Sequence, residues 1–205
     1  MEAKRYFVAG IGTDVGKTVA SAVLVEALQA DYWKPVQAGD LENTDRMKVQ
    51  NLVSNTTSIF YPEHYILPYP LSPHASAAMA DVDIDVETIL IPEHNAPLII
   101  EGAGGLMVPL RNDVLYIDWL QQINLEVILV SRHYLGSINH TLLSAEALKS
   151  RGIPVKGIIF NGNENQHTES VILHQTNFAC LGRIDESTQV TPEFIRQQAL
   201  KFTNL

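Results

Sequence analysis

The chain lacks several features that would settle its class at once. It has a single cysteine, Cys180, among 205 residues. An internal disulfide is therefore impossible, which suits a reducing compartment. Positive charge is scarce: 14 lysines and arginines face 23 aspartates and glutamates, for a formal net charge of −9. Such a surface repels nucleic acid and anionic lipid, so neither is an expected partner. No apolar run approaches the ~20 residues of a membrane helix. Only Tyr6 to Ala9 separate Arg5 from the first glycine, too little for the apolar stretch of a secretory signal. A cytoplasmic protein is expected. There is also no internal repeat, low-complexity stretch or linker, so a single domain over residues 1–205 is expected.

What is present is ordinary globular composition, 46% hydrophobic and 18% charged, with short apolar runs alternating with longer amphipathic ones. Residues 6–9, 33–37, 97–101, 126–131 and 155–160 read as strands, and residues 17–30 and 137–151 as helices. Ser137 is placed to cap the second helix, and Gly152 and Pro154 to end it. A short strand near residues 180–182 and a last helix from about Pro192 follow. Residues 61–73 carry Pro62, Pro68, Pro70 and Pro73 and read as a loop without regular structure. Strands without in/out alternation, separated by helices, predict a doubly wound α/β fold: a mainly parallel sheet with helices on both faces. Ligands of that architecture sit at the carboxyl ends of the strands.

The most informative segment is Gly10-Ile11-Gly12-Thr13-Asp14-Val15-Gly16-Lys17-Thr18. It matches the phosphate-binding P-loop pattern in its Gly-Lys-Thr end, but Ile11 occupies the strict position of the first glycine and Gly10 and Gly12 flank it. The physics of the loop survives that shift. Glycines allow tight turns that aim successive N–H groups at phosphate oxygens, and the helix beginning near Lys17 adds its positive dipole end. Lys17 then reaches terminal phosphates, and the Thr18 hydroxyl the magnesium ion that accompanies them. On an acidic protein, a polyanion needs such local attraction.

Magnesium prefers oxygen ligands, with one or two carboxylates beside phosphate and water. Glu101 is the best candidate, because it ends an apolar strand and precedes Gly102-Ala103-Gly104-Gly105; the alternative is a strand-end glutamate facing solvent. Read alone, Asp45 is a turn or helix-cap aspartate. Lys34, between Trp33 and Pro35, reads by itself as a solvated edge charge. Asn161-Gly162 is either a turn or an amide presented to a purine base. His167 and His174 read as surface residues, Asp118-Trp119 as a helix start with a packed aromatic, and Cys180 as a small buried hydrophobe.

Taken in order, the segments Y-F-V-A-G-I-G-T-D-V-G-K-T-V-A-S (6–21), W-K-P-V-Q-A-G (33–39), N-T-D (43–45), S-P-H-A-S-A-A (72–78), E-G-A-G-G-L-M-V-P-L (101–110), V-I-L-V (127–130) with L-G-S-I-N-H (135–140), and F-N-G (160–162) resemble the dethiobiotin synthetase family. The resemblance covers most of the chain. It implies a homodimer of P-loop subunits in biotin biosynthesis that closes a cyclic urea from diaminopelargonic acid, carbon dioxide (or bicarbonate) and MgATP. It further implies that Lys17 and Lys34 serve catalysis, and that Thr18, Asp45 and Glu101 hold Mg2+. ATP would lie along Asp14, Val15, Gly16, Lys17, Thr18 and Val19, with Asp45, Glu101, Gly102, Ala103 and Gly104 beside its phosphates. Its base would meet Asn161, Gly162, Ile184, Asp185 and Glu186. The diamine and its carbamate would meet Thr13, Lys34, Ala38 and Gly104, while Gly136, Ser137, Ile138 and Asn139 would bind the substrate carboxylate across the dimer.

The chain departs from that family at Ala38, where a serine or threonine is usual, at Asp14 in place of glutamate, and at Ile184-Asp185-Glu186, which lacks a common proline. Two other classes remain in view. A regulatory ATPase of the septum-site or partitioning kind would carry an extra lysine early in the loop, where this chain has Ile11, Gly12 and Thr13. An amidoligase of the cobyrinic acid type would bring a glutaminase domain, for which 205 residues leave no room.

Overall fold

A computed structural model describes residues 3–205. In chain order the elements are β1 (Arg5–Gly10), α1 (Lys17–Leu28), β2 (Asp31–Trp33), β3 (Val36–Ala38), α2 (Asp45–Leu52), β4 (Phe60–Tyr61), β5 (Tyr65–Leu67) and α3 (Pro73–Met79). After a 3₁₀ turn at Val86–Thr88 come β6 (Leu98–Gly105), β7 (Pro109–Arg111), β8 (Val114–Leu115), α4 (Tyr116–Ile123), β9 (Glu126–Arg132) and α5 (Ser137–Ser150). The chain ends with β10 (Val155–Asn161), α6 (Gln166–Thr176), β11 (Cys180–Ile184) and α7 (Pro192–Ala199).

Seven strands form one sheet in the order β11-β10-β9-β1-β6-β2-β4, and every neighbouring pair in it is parallel. The central strands are buried on both faces, as their unbroken apolar runs require. α1 packs against α2 and α7, and α5 against α6. α4 brings Tyr116 and Trp119 onto the Phe7 ring of β1 at centroid distances of 5.7 and 6.2 Å. The doubly wound α/β architecture expected from the sequence is the one observed. Among the described residues no helix is long and apolar enough to cross a membrane.

Several local expectations are corrected. The strand expected over 33–37 is broken in two, because Pro35 has no N–H to donate and its carbonyl instead accepts from His64 and Tyr65. The chain thereby leaves the main sheet after Trp33, and β3 pairs with β5. Residues 61–73 are not without regular structure, since β5 fits between Pro62 and Pro68 and Pro73 opens α3. Proline suits the first turn of a helix, where its missing donor is not needed. Ser137 does not cap α5; Gly136, with φ +104°, is the cap residue, and Ser137 is the first helical position. Glu101 lies inside β6, which runs on to Gly105. Cys180 is exposed rather than buried. His167 and His174 are exposed, and Asp118 and Trp119 lie in the first turn of α4, as expected.

Candidate active site

The loop between β1 and α1 is built by its glycines and by its neighbours. Ile11 turns into the core, and its N–H donates to the Val130 carbonyl, so it extends β1 instead of serving the turn. Gly10 takes over the close approach: a Cβ there would meet Val15 Cγ2 at 2.7 Å and the Gly12 carbonyl at 2.9 Å. Gly16 caps α1 with φ +91°, a conformation that side chains resist, and a Cβ on it would lie 2.2 Å from Asn161 Nδ2. That closeness is used, because Asn161 Nδ2 donates to the Val15 carbonyl at 2.9 Å and ties the loop to the end of β10. Val15 therefore acts through its buried backbone and does not line the cleft. Lys17 curls back over the loop, its Nζ donating to the Gly12 carbonyl at 2.8 Å. Burial holds its ammonium below the usual lysine range, partly offset by the Glu101 carboxylate.

Next to the loop is a compact set of charges. Lys34 immediately follows β2 and is only 6% exposed, and Glu101 is 0% exposed. Lys34 Nζ forms an ion pair with Asp45 Oδ2 and lies 3.5 Å from Glu101 Oε1. The Thr18 hydroxyl donates to Glu101 Oε1 and the Tyr32 phenol to Glu101 Oε2, both at 2.9 Å. Burial alone would push the Lys34 ammonium down, but the Glu101 and Asp45 carboxylates outweigh it and hold it above its ordinary range. For Asp45 the converse applies: burial raises it, yet Lys34 and then Lys48 keep its carboxyl below the usual range. Lys34 is thus no solvated edge charge, and Glu101 does not face solvent. Asp45 is not a cap either; Thr44 is the cap of α2, and Asp45 is its first residue, its N–H held by Gln37 Oε1 at 3.3 Å.

These groups open onto a cleft of about 740 Å³ at the carboxyl ends of the strands. Thr13, Asp14, Gly16, Lys17, Thr18 and Val19 line its middle. Lys34, Ala38, Asp45, Glu101, Ala103 and Gly104 line one end, and Asn161, Gly162, Ile184, Asp185 and Glu186 the other. Gly102 stays behind the wall against the Phe7 ring. Gly136, Ser137, Ile138 and Asn139 are not brought to this cleft; they form the start of α5, beyond β9.

The family follows from comparison. Residues 4–194 match the family described as AAA domain. The chain is 53% identical to the ATP-dependent dethiobiotin synthetase BioD of Christiangramia forsetii, over 97% of this chain and 96% of that protein. It is 49% identical to that of Cytophaga hutchinsonii over 97% and 96%, and 44% identical to that of Agrobacterium fabrum over 98% and 95%. The chain belongs to the ATP-dependent dethiobiotin synthetase family. Its fold is also that of a ParA family ATPase from Chlorobium tepidum, with a TM-score of 0.58 at 15% identity over 97% and 98% of the two chains. A septum site-determining protein MinD from Pyrococcus horikoshii gives 0.56 at 17% over 98% and 89%. At such identity the likeness shows the fold alone.

Some synthetase cleft residues escape sequence reading. Lys48 lies three residues after Asp45, and its Nζ reaches Asp45 Oδ1 at 3.1 Å and Asp40 Oδ2 at 2.7 Å. That spacing puts both on one side of α2, a signal the sequence did contain. Arg132 also lines the cleft, and its position at the end of an apolar strand was a second available signal. Nothing local marks Tyr32 or Gln37, because their partners are remote or depend on the break at Pro35.

Proposed function

We propose that the cleft makes dethiobiotin, the product named for its relatives, by closing the ureido ring of 7,8-diaminopelargonic acid with carbon dioxide and MgATP. The observation that carries this reading is Lys34, an ammonium buried between two carboxylates beside a phosphate loop. One substrate amine adds to carbon dioxide and loses a proton, giving a carbamate. A carbamate oxygen then takes the γ-phosphoryl group from ATP, releasing ADP. The second amine attacks the carbonyl carbon of the mixed anhydride, phosphate leaves, and the ring closes. Negative charge builds on the carbamate and γ-phosphate oxygens during transfer, where fixed cations stabilise most. Lys17 and Lys34 are the buried lysines of the cleft wall and supply that charge.

The donor set fits magnesium. Among the described residues there is no group of three or more His, Cys, Asp or Glu suited to a metal. Magnesium needs none, since it takes few protein ligands and keeps phosphate and water. The Thr18 hydroxyl donates to the Glu101 carboxylate, and the Lys34 ammonium pairs with both Glu101 and Asp45, so one hydroxyl and two carboxylates that could hold the ion lie together beside the phosphate loop. When bound, the ion neutralises phosphate charge. Thr13 and the backbone at Gly104 line the diamine end. Ala38 brings no hydroxyl there, and the neighbouring Gln37 amide is committed to the Gly39 carbonyl and the Asp45 N–H.

We also read the protein as a single-domain cytoplasmic homodimer. Leu135, in the turn just before α5, and Asn139 and Leu143, one helical turn apart on α5, are exposed in the segment outside the cleft. A partner subunit covering that face would bring residues 136–139 to the far end of the diamine, its carboxylate near a helix N-terminus. The deciding assay is phosphate release together with product mass, with and without the diamine. Release should depend on the diamine and yield the cyclic urea. Diamine-independent hydrolysis with no cyclic urea overturns the reading.

A further inference from the structure

The base end of the cleft contains a cation with no role so far. Arg132 is the last residue of β9, and in register it stands beside Asn161 of β10. Its Nη2 lies 3.5 Å from Glu186 Oε1, with side chains 48% and 51% exposed. Asn163 Nδ2 donates to the other oxygen, Glu186 Oε2, at 2.9 Å. The ends of β9, β10 and β11 are thus joined across the mouth by one guanidinium, one carboxylate and one amide.

Stability does not explain this bridge. Exposed pairs of this kind contribute about 0–1 kcal/mol, and this one is long. Nor is Arg132 placed for phosphoryl transfer. Lys17 opens α1 at the phosphate loop and Lys34 follows β2, and in the sheet order β11-β10-β9-β1-β6-β2 Arg132, at the end of β9, lies on the side of β1 away from Lys34. Behind the bridge, the Glu169 carboxylate fixes the adjoining backbone. It meets His133 Nε2 at 2.8 Å, accepts from the Asn165 N–H at 3.1 Å and pairs with Arg183. Each of those residues is within three positions of Arg132, Asn163 or Glu186, so the rim is preorganised by a largely buried anchor.

We propose that Arg132 is a nucleotide-specificity residue that holds the base and ribose of ATP, through a charge bridge with Glu186 that spans the base end of the cleft. The inference rests on the reading of the cleft as an ATP site. A planar guanidinium stacks on a base or binds its polar edge in ways an ammonium does not reproduce. The weak pair opens at little cost, which lets both groups turn to the nucleotide.

The test measures ATP, GTP and CTP binding to the free enzyme by calorimetry, and KM and kcat in the complete reaction. Arg132→Ala should weaken ATP binding about 3- to 30-fold, the range of a stacked or charge-assisted contact. KM should rise far more than kcat falls, and the preference among the three nucleotides should narrow. Glu186→Gln should move the same quantities less. Arg132→Lys should recover only part of the loss, and it replaces the alanine variant if that fails to fold. Unchanged nucleotide affinity overturns the proposal, as does a kcat loss equal for all three nucleotides or full recovery by lysine. Calorimetry needs no diamine, so a wild-type enzyme that makes no cyclic urea refutes the reaction without deciding the role of Arg132.

Discussion

The two ends of the cleft use charge in opposite ways. At the phosphate end Lys34 and Glu101 are buried and each is matched by a specific partner. At the base end Arg132 and Glu186 are half exposed and meet at 3.5 Å. Removing one member of a buried set strands the others in a medium that solvates them poorly. Removing one member of an exposed pair leaves water to replace it. The first end is therefore a unit whose residues stand or fall together, and the second tunes affinity.

The sharpest way to break that contrast is Lys34→Ala. It removes the cation between Asp45 and Glu101 as well as a positive charge near the reacting oxygens. Turnover should fall by at least about a thousandfold, because fixed cations act where transition-state charge is greatest. Single-turnover rates at saturating ATP measure this directly. Full activity would mean that Lys34 only balances the acids. Glu101→Gln comes next in size. It keeps the shape but loses the charge that Lys34 and magnesium both need, so kcat should drop about 10²–10³-fold and half-saturating magnesium should rise. A rate loss with an unchanged magnesium curve would place the ion elsewhere.

The same contrast governs what the sequence could reveal. The phosphate loop is local, with strand, glycines and helix adjacent in the chain, and it was legible even with Ile11 at the strict glycine position. Lys34 and Asp45 were not. Taken alone they read as an edge charge and a cap, and only the fold shows Pro35 diverting the chain so that Gln37 and Asp45 come back beside Lys34. The resemblance to a family placed them where local pattern could not. Arg132 and Glu186 are joined by the carboxyl ends of separate strands, contacts that no periodicity encodes. The helix capped by Gly136 shows the reverse: the sequence located it, but assigned the cap to a serine where a left-handed glycine does the turning.

A smaller effect tests whether the phosphate end really behaves as a unit. Tyr32 touches no substrate in the proposed reaction, yet its buried hydroxyl donates to Glu101 Oε2 at 2.9 Å. Burial, and then the Glu101 charge, push this phenol well above its ordinary range, so it remains a donor throughout the neutral range. Tyr32→Phe preserves the ring against Phe60 and deletes only that donor. One oxygen of a fully buried carboxylate is then unpaired, which costs about 1–3 kcal/mol and lowers Tm by about 3–10 °C. Because Thr18 and Lys34 still hold the other oxygen, kcat should fall only about 2–10-fold, with a modest weakening of magnesium dependence. A lower Tm without any change in the magnesium curve would make Tyr32 a packing residue and separate the stability of the cluster from its chemistry. Movement of both together would show that the buried end is one electrostatic unit extending past the residues that meet the substrate.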